Sequence, residues 1–293
     1  MAHRMTGPIR TLVIGGSGQI GARVTGRLLA MGHAVSVLTR GAAVAPGARA
    51  LTGALSDRSA VRAALETGID RVVLITPDMR DQGEVETAII AELAAAKVGF
   101  VAKLSAQSAG LSPPVSFGRH HAVAERALVV SGLPHAVLRP TFYQDSLLLF
   151  AGDIRRGKPM MLPVKSGRVA MVAASDVAEA LALLAHRAEP RSPVTLTGPA
   201  ALSFPDIAGM IGAATGQRVG FRTVPALLAR LVLPLAAGLP FWKAQLVVDL
   251  FRAIERGAQE PVSRDGPALL GRPPATLSDF LAARHADFAP DAS

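Results

Sequence analysis

Apolar residues fall into two alternating rhythms along the first half of this chain. Thr11 to Ile14 is a short apolar run after Pro8, the spacing of a buried strand. Gly15 to Gly21 follows as a glycine-rich turn, and Ile20, Val24, Leu28 and Leu29 then recur at helical spacing up to Gly32. Ala34 to Leu38 is the next strand, closed by Thr39, Arg40 and Gly41, so the opening reads as strand, turn, helix, strand. The alternation continues. Ala48 to Thr52 is a weaker third strand, Ser59 to Leu65 a helix opened by Ser56 or Asp57, and Arg71 to Ile75 a buried strand stopped at Thr76-Pro77. Glu84 to Ala96 is an amphipathic helix, Gly99 to Leu104 a strand, Arg119 to Val130 a helix, and His135 to Leu138 a strand before Arg139-Pro140.

Strands alternating with helices imply a parallel, doubly wound α/β sheet of Rossmann type. Beyond Thr141 the rhythm changes. Gln144 to Pro163 mixes helix and loop, Ser175-Asp176 stands as an N-cap before a helix from Val177 to His186, and Val194 to Thr197 is a short strand. Helices follow in Phe204 to Thr215 and Pro225 to Ile254, and Thr276 with Asp279 has capping-box spacing before a last helix in Leu277 to His285. The expected organisation is a nucleotide-binding core over residues 1–143, with 144–293 completing the fold and forming a small α+β lobe that holds the substrate.

Composition narrows the function classes. Half of the 293 residues are hydrophobic and 18% are charged, which supports a folded core. With no cysteine, disulfides and thiolate metal sites are excluded; no metal site is expected and the cytoplasm is the default location. Met1 to Arg10 carries His3, Arg4 and Arg10 but no export signal. The most membrane-like stretch, Pro225 to Trp242, is interrupted by Arg230, Pro234, Gly238 and Pro240 and is read as buried or substrate-facing helices. No membrane partner is expected. The net charge of +9 is scattered without a basic run or stacking aromatics, which argues against nucleic acid and suits phosphorylated small molecules.

The turn Gly15-Gly16-Ser17-Gly18-Gln19-Ile20-Gly21 has glycines three residues apart between a strand and a helix. Gly15 permits the tight turn, Gly18 lets backbone approach a pyrophosphate, and Gly21 lets helix and strand pack closely. Ser17, Gln19 and Ile20 share that loop and would lie against the phosphates. An NAD site presents an acid to the ribose 2′-hydroxyl after the second strand, yet the first acidic residue here is Asp57. Thr39 and Arg40 stand there instead, so NADP(H) is favoured over NAD(H), with Arg40 clamping a 2′-phosphate. Thr76, Pro77, Ser105 and the segment Arg139 to Tyr143, including Pro140, Thr141 and Phe142, lie at successive strand ends and line the same expected cleft.

Val13 to Gly21, Lys103-Leu104-Ser105, His121 to Pro140, Leu196 to Pro199 and Leu270 to Pro274 together resemble the NmrA-like group of atypical short-chain dehydrogenases/reductases. The resemblance implies a Rossmann domain binding NADP(H) or NAD(H). It also implies either a reductase of quinones, azo dyes and unsaturated or imine-type metabolites, or a non-catalytic sensor of the nucleotide. Where ordinary short-chain dehydrogenases carry a Tyr-x-x-x-Lys pair, this chain has Phe117 and His121, and the acid usual after Gly53 is Ala54.

The remaining candidate proton donors are His121, Tyr143 and Lys103, with His120 and Ser105 nearby. His121 comes first because an imidazole titrates near neutral pH, and a helix-packing histidine is the competing reading. Tyr143 is a donor or a cleft wall. Lys103 is a donor or a structural ion-pair partner, and Glu125, one turn beyond His121, either orients that ring or balances surface charge. The leading expectation is an NADP(H)-dependent oxidoreductase that passes hydride to a hydrophobic or aromatic acceptor without the Tyr-Lys pair. The alternative is an NADP(H)-sensing regulator, whose partner would be another protein; a second copy of this chain is the other candidate protein partner.

Overall fold

The computed structural model describes residues 7–111, 116–191, 193–236, 238 and 240–290, with the side chains of residues 116, 117 and 236 outside the description. His3, Arg4 and the Phe117 side chain, all singled out in the sequence, therefore lie outside the described residues. Elements run as β1 (Arg10–Ile14), α1 (Gln19–Ala30), β2 (Ala34–Thr39), β3 (Arg49–Thr52), α2 (Arg58–Leu65), β4 (Arg71–Leu74), α3 (Gln82–Ala95), β5 (Phe100–Leu104), α4 (Ser116–Ser131) and β6 (His135–Pro140). Next come α5 (Ala151–Arg155), β7 (Met160–Leu162), β8 (Arg168–Val169), α6 (Ala174–Arg187), β9 (Val194–Leu196), β10 (Leu202–Ser203), α7 (Phe204–Thr215) and β11 (Phe221–Thr223). The chain closes with α8 (Ala226–Ala236), α9 (Phe241–Glu255), α10 (Asp265–Leu270), α11 (Leu277–Ala283) and α12 (His285–Phe288).

Two compact units result. The first comprises Met1–Gly110, Gly118–Arg139 and Ser175–Thr195; the second comprises Leu111–Phe117, Pro140–Ala174 and Leu196–Ser293. The chain thus returns to the first unit through α6 rather than leaving it once. In register, Arg27 of α1 meets Glu179 of α6 at 3.2 Å, which sets these two helices side by side.

The main sheet has the order β3-β2-β1-β4-β5-β6-β9, and β1 runs parallel to both β2 and β4. This is the expected Rossmann arrangement, and it places the topological switch between β1 and β4, directly before the glycine-rich turn. Leu12 and Ile14 pack with Leu38, Val72, Leu74, Ile89, Ile90, Leu93 and Leu128 in one apolar cluster. The alternate residues Val13, Val37 and Val73 are equally buried, so both sheet faces are covered, and strands of this kind read as continuous apolar runs. Asp57 caps α2 by accepting from the amides of Ser59 and Ala60, one of the two caps expected for that helix.

The second unit is built around Leu147, Ile154, Met160, Leu162, Phe204, Ile207, Ile211, Phe251, Ile254, Phe280 and Phe288. Two-stranded sheets β7-β11 (parallel) and β8-β10 (antiparallel) edge this core; each strand is two or three residues long, too short to carry a period in the sequence. The helix expected from Val177 behind a Ser175-Asp176 cap starts three residues earlier, at Ala174, so Ser175 and Asp176 lie in its first turn. Its first amide, that of Ala174, donates to Asp145 at 2.9 Å, a cap supplied from 29 residues away and invisible to local reading. The capping box of Thr276 and Asp279 forms as spaced.

The stretch Pro225 to Ile254 divides into α8 and α9 around Gly238 and Pro240. Its outer face is not buried: Leu227, Leu231 and Leu235 of α8 are exposed, while Arg230, the one charge on that helix, turns inward to Asp249. Among the described residues no helix is long and apolar enough to cross a membrane.

Candidate active site

The first group of candidate residues forms at the carboxyl end of β1. Gly15 has φ +83°, and a Cβ there would lie 2.2 Å from the Ile75 carbonyl oxygen. A Cβ on Gly21 would lie 2.1 Å from the Gly15 carbonyl oxygen, so α1 could not pack under the turn with any side chain at that position. Gly18 differs. Its φ of −77° suits any residue, and an added Cβ would meet only the Gly15 oxygen, at 3.4 Å. The fold therefore explains Gly15 and Gly21 but not Gly18; a Cβ at Gly18 would fill the open side of the loop. Gly18 is also the N-cap of α1, with no side-chain cap and no acid in the first turn, so the partial positive charge of that helix end is not offset from within the helix. Ser17 and Gln19 are exposed beside it and Ile20 is half-buried.

At the end of β2, Thr39 is buried and its hydroxyl oxygen accepts from the Ala42 amide at 3.0 Å, which folds the chain around Arg40. Thr39 thus shapes the loop from inside. Arg40 is exposed and has no ion-pair partner among the described residues. A helix N-terminus, a loop whose Gly18 faces no clash with a bound phosphate and an exposed guanidinium one strand over fit a dinucleotide carrying a third phosphate.

The second group sits where β4 and β5 end. Thr76 is half-buried and Pro77 exposed. The Thr76 hydroxyl donates to Glu86 Oε1 at 2.6 Å and accepts from Gln82 Nε2 at 3.0 Å. Lys103 Nζ lies 2.9 Å from Glu86, with both side chains wholly buried. The same ammonium donates to the Leu104 carbonyl at 3.0 Å and approaches His121 Nδ1 at 3.3 Å. Thr76, Lys103 and His121, three residues singled out separately in the sequence, are therefore one hydrogen-bonded chain, and Lys103 takes the structural ion-pair role among the two open to it.

His121 is buried, and burial first, then Lys103 and His120, holds its pKa well below the ordinary histidine value. The imidazole is neutral at pH 7 and does not titrate near neutrality as its residue type suggests. Glu125 does not orient it. That carboxylate instead accepts from Ser105 Oγ and from both Nε, at 3.1 Å, and Nη2 of Arg139, so Ser105 and Arg139 belong to a separate network. His120, one residue earlier, accepts from the Gly83 amide at 3.4 Å.

Glu86 is the residue that sequence reading missed, and its signal was present. Gln82, Glu86, Ile89, Ile90 and Leu93 share the buried face of α3 at helical spacing, and a carboxylate on such a face requires a buried partner.

The remaining candidates belong to the second unit. The Thr141 hydroxyl donates to the Ala170 carbonyl at 2.6 Å, and its amide donates to Leu196 at 3.0 Å. Pro140 is buried and the Phe142 ring packs edge-on against Phe204 and Phe251. Tyr143 is half-buried and bridges to Val172 through the backbone. Thr141 and Phe142 thus hold the second unit's interior together.

Comparison with known proteins agrees with this architecture. The chain is 28% identical over 283 residues to the NAD(P)H azoreductase of Xenophilus azovorans, covering 94% of this chain and 98% of that protein. Its fold superposes with a TM-score of 0.84 on an NADPH-dependent quinone oxidoreductase of Escherichia coli solved with NADPH, at 22% identity over 94% of this chain and 99% of that one. It superposes with a TM-score of 0.80 on the triphenylmethane reductase of a Citrobacter species solved with NADP(H), at 18% identity over 94% and 99% of the two chains. The profile of the NmrA-like family matches residues 9–281, which spans the main sheet and most of the second unit, and the chain belongs to that family.

Proposed function

We propose that the protein is an NADP(H)-dependent oxidoreductase that reduces a hydrophobic or aromatic acceptor of quinone, azo, enone or imine type. The observation that carries this reading is the contrast at the turn: Gly15 and Gly21 are demanded by close protein contacts, whereas a Cβ at Gly18 would meet only the Gly15 carbonyl oxygen, at an ordinary contact distance of 3.4 Å. Arg40 supplies the charge for a 2′-phosphate, and no acid precedes Asp57 to repel it. The azoreductase, quinone oxidoreductase and triphenylmethane reductase names of the relatives support the acceptor class.

In this reading the first unit binds the nucleotide through Ser17 to Ile20 and Arg40, and the second unit, with Tyr143 and the apolar α8, provides for the acceptor. When bound, a reduced nicotinamide would supply a hydride; a quinone, azo, enone or neutral imine acceptor then needs one proton, which solvent or a weak acid can give, and an iminium ion needs none. The residues at the positions of the usual Tyr-Lys pair suit that demand. His121, neutral and buried, donates a hydrogen bond from Nε2 and keeps its proton, and the acceptor is protonated by water.

The test is steady oxidation of NADPH by purified protein with a panel of quinones, azo dyes, enones and iminium compounds. Turnover with at least one class is expected. Saturable NADPH binding with no turnover across the panel, and an unequal affinity for NADP⁺, would assign the protein to the sensing branch instead.

A further inference from the structure

The reading above uses His121 but gives no role to the carboxylate behind it. Lys103 Nζ has three hydrogens and no lone pair. They are directed at Glu86 Oε1 at 2.9 Å, the Leu104 carbonyl at 3.0 Å and His121 Nδ1 at 3.3 Å. An ammonium can only donate, so the ring nitrogen facing it must be the one without hydrogen, and the ring proton is left on Nε2. Among the described residues Nε2 has no partner of its own.

Glu86 maintains this arrangement. Its side chain is fixed on α3 by the Thr76 hydroxyl, which Gln82 holds in turn, and among the described residues it is the sole carboxylate paired with Lys103. That counter-charge is what favours a wholly buried ammonium over a neutral amine. A neutral amine has a lone pair and accepts from a protonated Nδ1 as readily as it donates to a bare one, so the ring would lose its single tautomer.

We propose that Glu86 is a positioning residue for His121: by keeping Lys103 charged, it locks the imidazole as its Nε2–H tautomer and so presents a fixed hydrogen-bond donor at the carboxyl end of β5. The proposal rests on His121 being the donor of the oxidoreductase reading, but the locked tautomer is a property of the resting protein. The groups that bear on the ring are Lys103 from β5, His120 from its own helix and, through Lys103, Glu86 from α3.

The experiment is ¹⁵N NMR of the imidazole rings in uniformly labelled full-length protein without nucleotide, with the His121 signals assigned by their loss in His121→Gln. In the wild-type protein His121 is expected as a single neutral Nε2–H ring across about pH 5.5 to 8. In Glu86→Gln the Nδ1 and Nε2 shifts should move toward each other as the second tautomer appears, and the ring should begin to titrate within that range. Glu86→Asp should restore the wild-type pattern at least in part. A purely structural Glu86 would leave the shifts of a folded Glu86→Gln variant unchanged, and that result overturns the proposal. If Glu86→Gln does not fold, the wild-type spectrum decides: a ring protonated on Nδ1, or charged at about pH 6.5, overturns the proposal equally. A locked ring in a protein that oxidises no NADPH would instead remove the oxidoreductase reading while sustaining the tautomer assignment.

Discussion

The Lys103 ammonium and the Glu86 carboxylate meet at 2.9 Å with neither side chain exposed at all. Removing one partner leaves the other wholly buried without its counter-charge, at a cost of about 3–5 kcal/mol. Lys103→Met or Glu86→Leu alone should therefore lower urea stability by that amount, while Lys103→Met with Glu86→Leu should recover most of it. A double variant no more stable than either single one would show that the pair is not the source of the loss.

The glycines of the turn should separate by function. Gly18→Ala places its methyl at an ordinary 3.4 Å contact with the Gly15 oxygen, so it should unfold within about 1 kcal/mol of wild type yet bind NADPH at least tenfold more weakly. Gly21→Ala forces its methyl into the Gly15 carbonyl and should lose stability outright. Thermal unfolding and calorimetric titration with NADPH distinguish them; unchanged affinity in Gly18→Ala would remove the main support for a phosphate cradle.

Arg40 should discriminate between nucleotides without affecting the fold. Arg40→Ala removes an exposed side chain, so its unfolding temperature should match wild type. NADPH affinity should fall by about 10- to 100-fold, equivalent to roughly 1.4–2.8 kcal/mol for one charge-assisted contact, while NADH affinity stays level. An equal fall for both nucleotides would place Arg40 away from the 2′-phosphate.

Acid should destabilise the first unit through His33. Its Nδ1 lies 2.8 Å from Thr11 Oγ1 and its Nε2 lies 2.9 Å from His186 Nδ1, and burial, with His186 and Arg71 adding, lowers its pKa from 6.5 to about 4. Between those values the unfolded chain binds a proton that the fold refuses, so this stabilisation is complete above about 6.5 and is lost as pH falls toward 4. His121 acts with the same sign. Urea midpoints measured across that window should decline with acid, and His33→Gln should flatten the slope; a slope unchanged in His33→Gln would assign it elsewhere.

The sequence by itself determined the parts of this protein that depend on neighbours in the chain. Apolar runs, a cap at Ser56 or Asp57, the Thr276-Asp279 box and the Gly15 to Gly21 turn all work over a few residues, where backbone geometry and hydrogen bonding leave few alternatives. The family resemblance, carried by segments from Val13 to Pro274, was legible for the same reason. Tertiary structure decided what distant side chains do to one another. Whether Lys103 served as a donor or paired with Glu86, whether Glu125 served His121 or Arg139, and whether the His121 ring titrates near neutrality all depended on burial and on charges brought together from β5, β6, α3 and α4. Coulombic and desolvation energies act through space rather than along the chain, so a residue's type gives its ordinary chemistry and only its packed surroundings give the chemistry it performs.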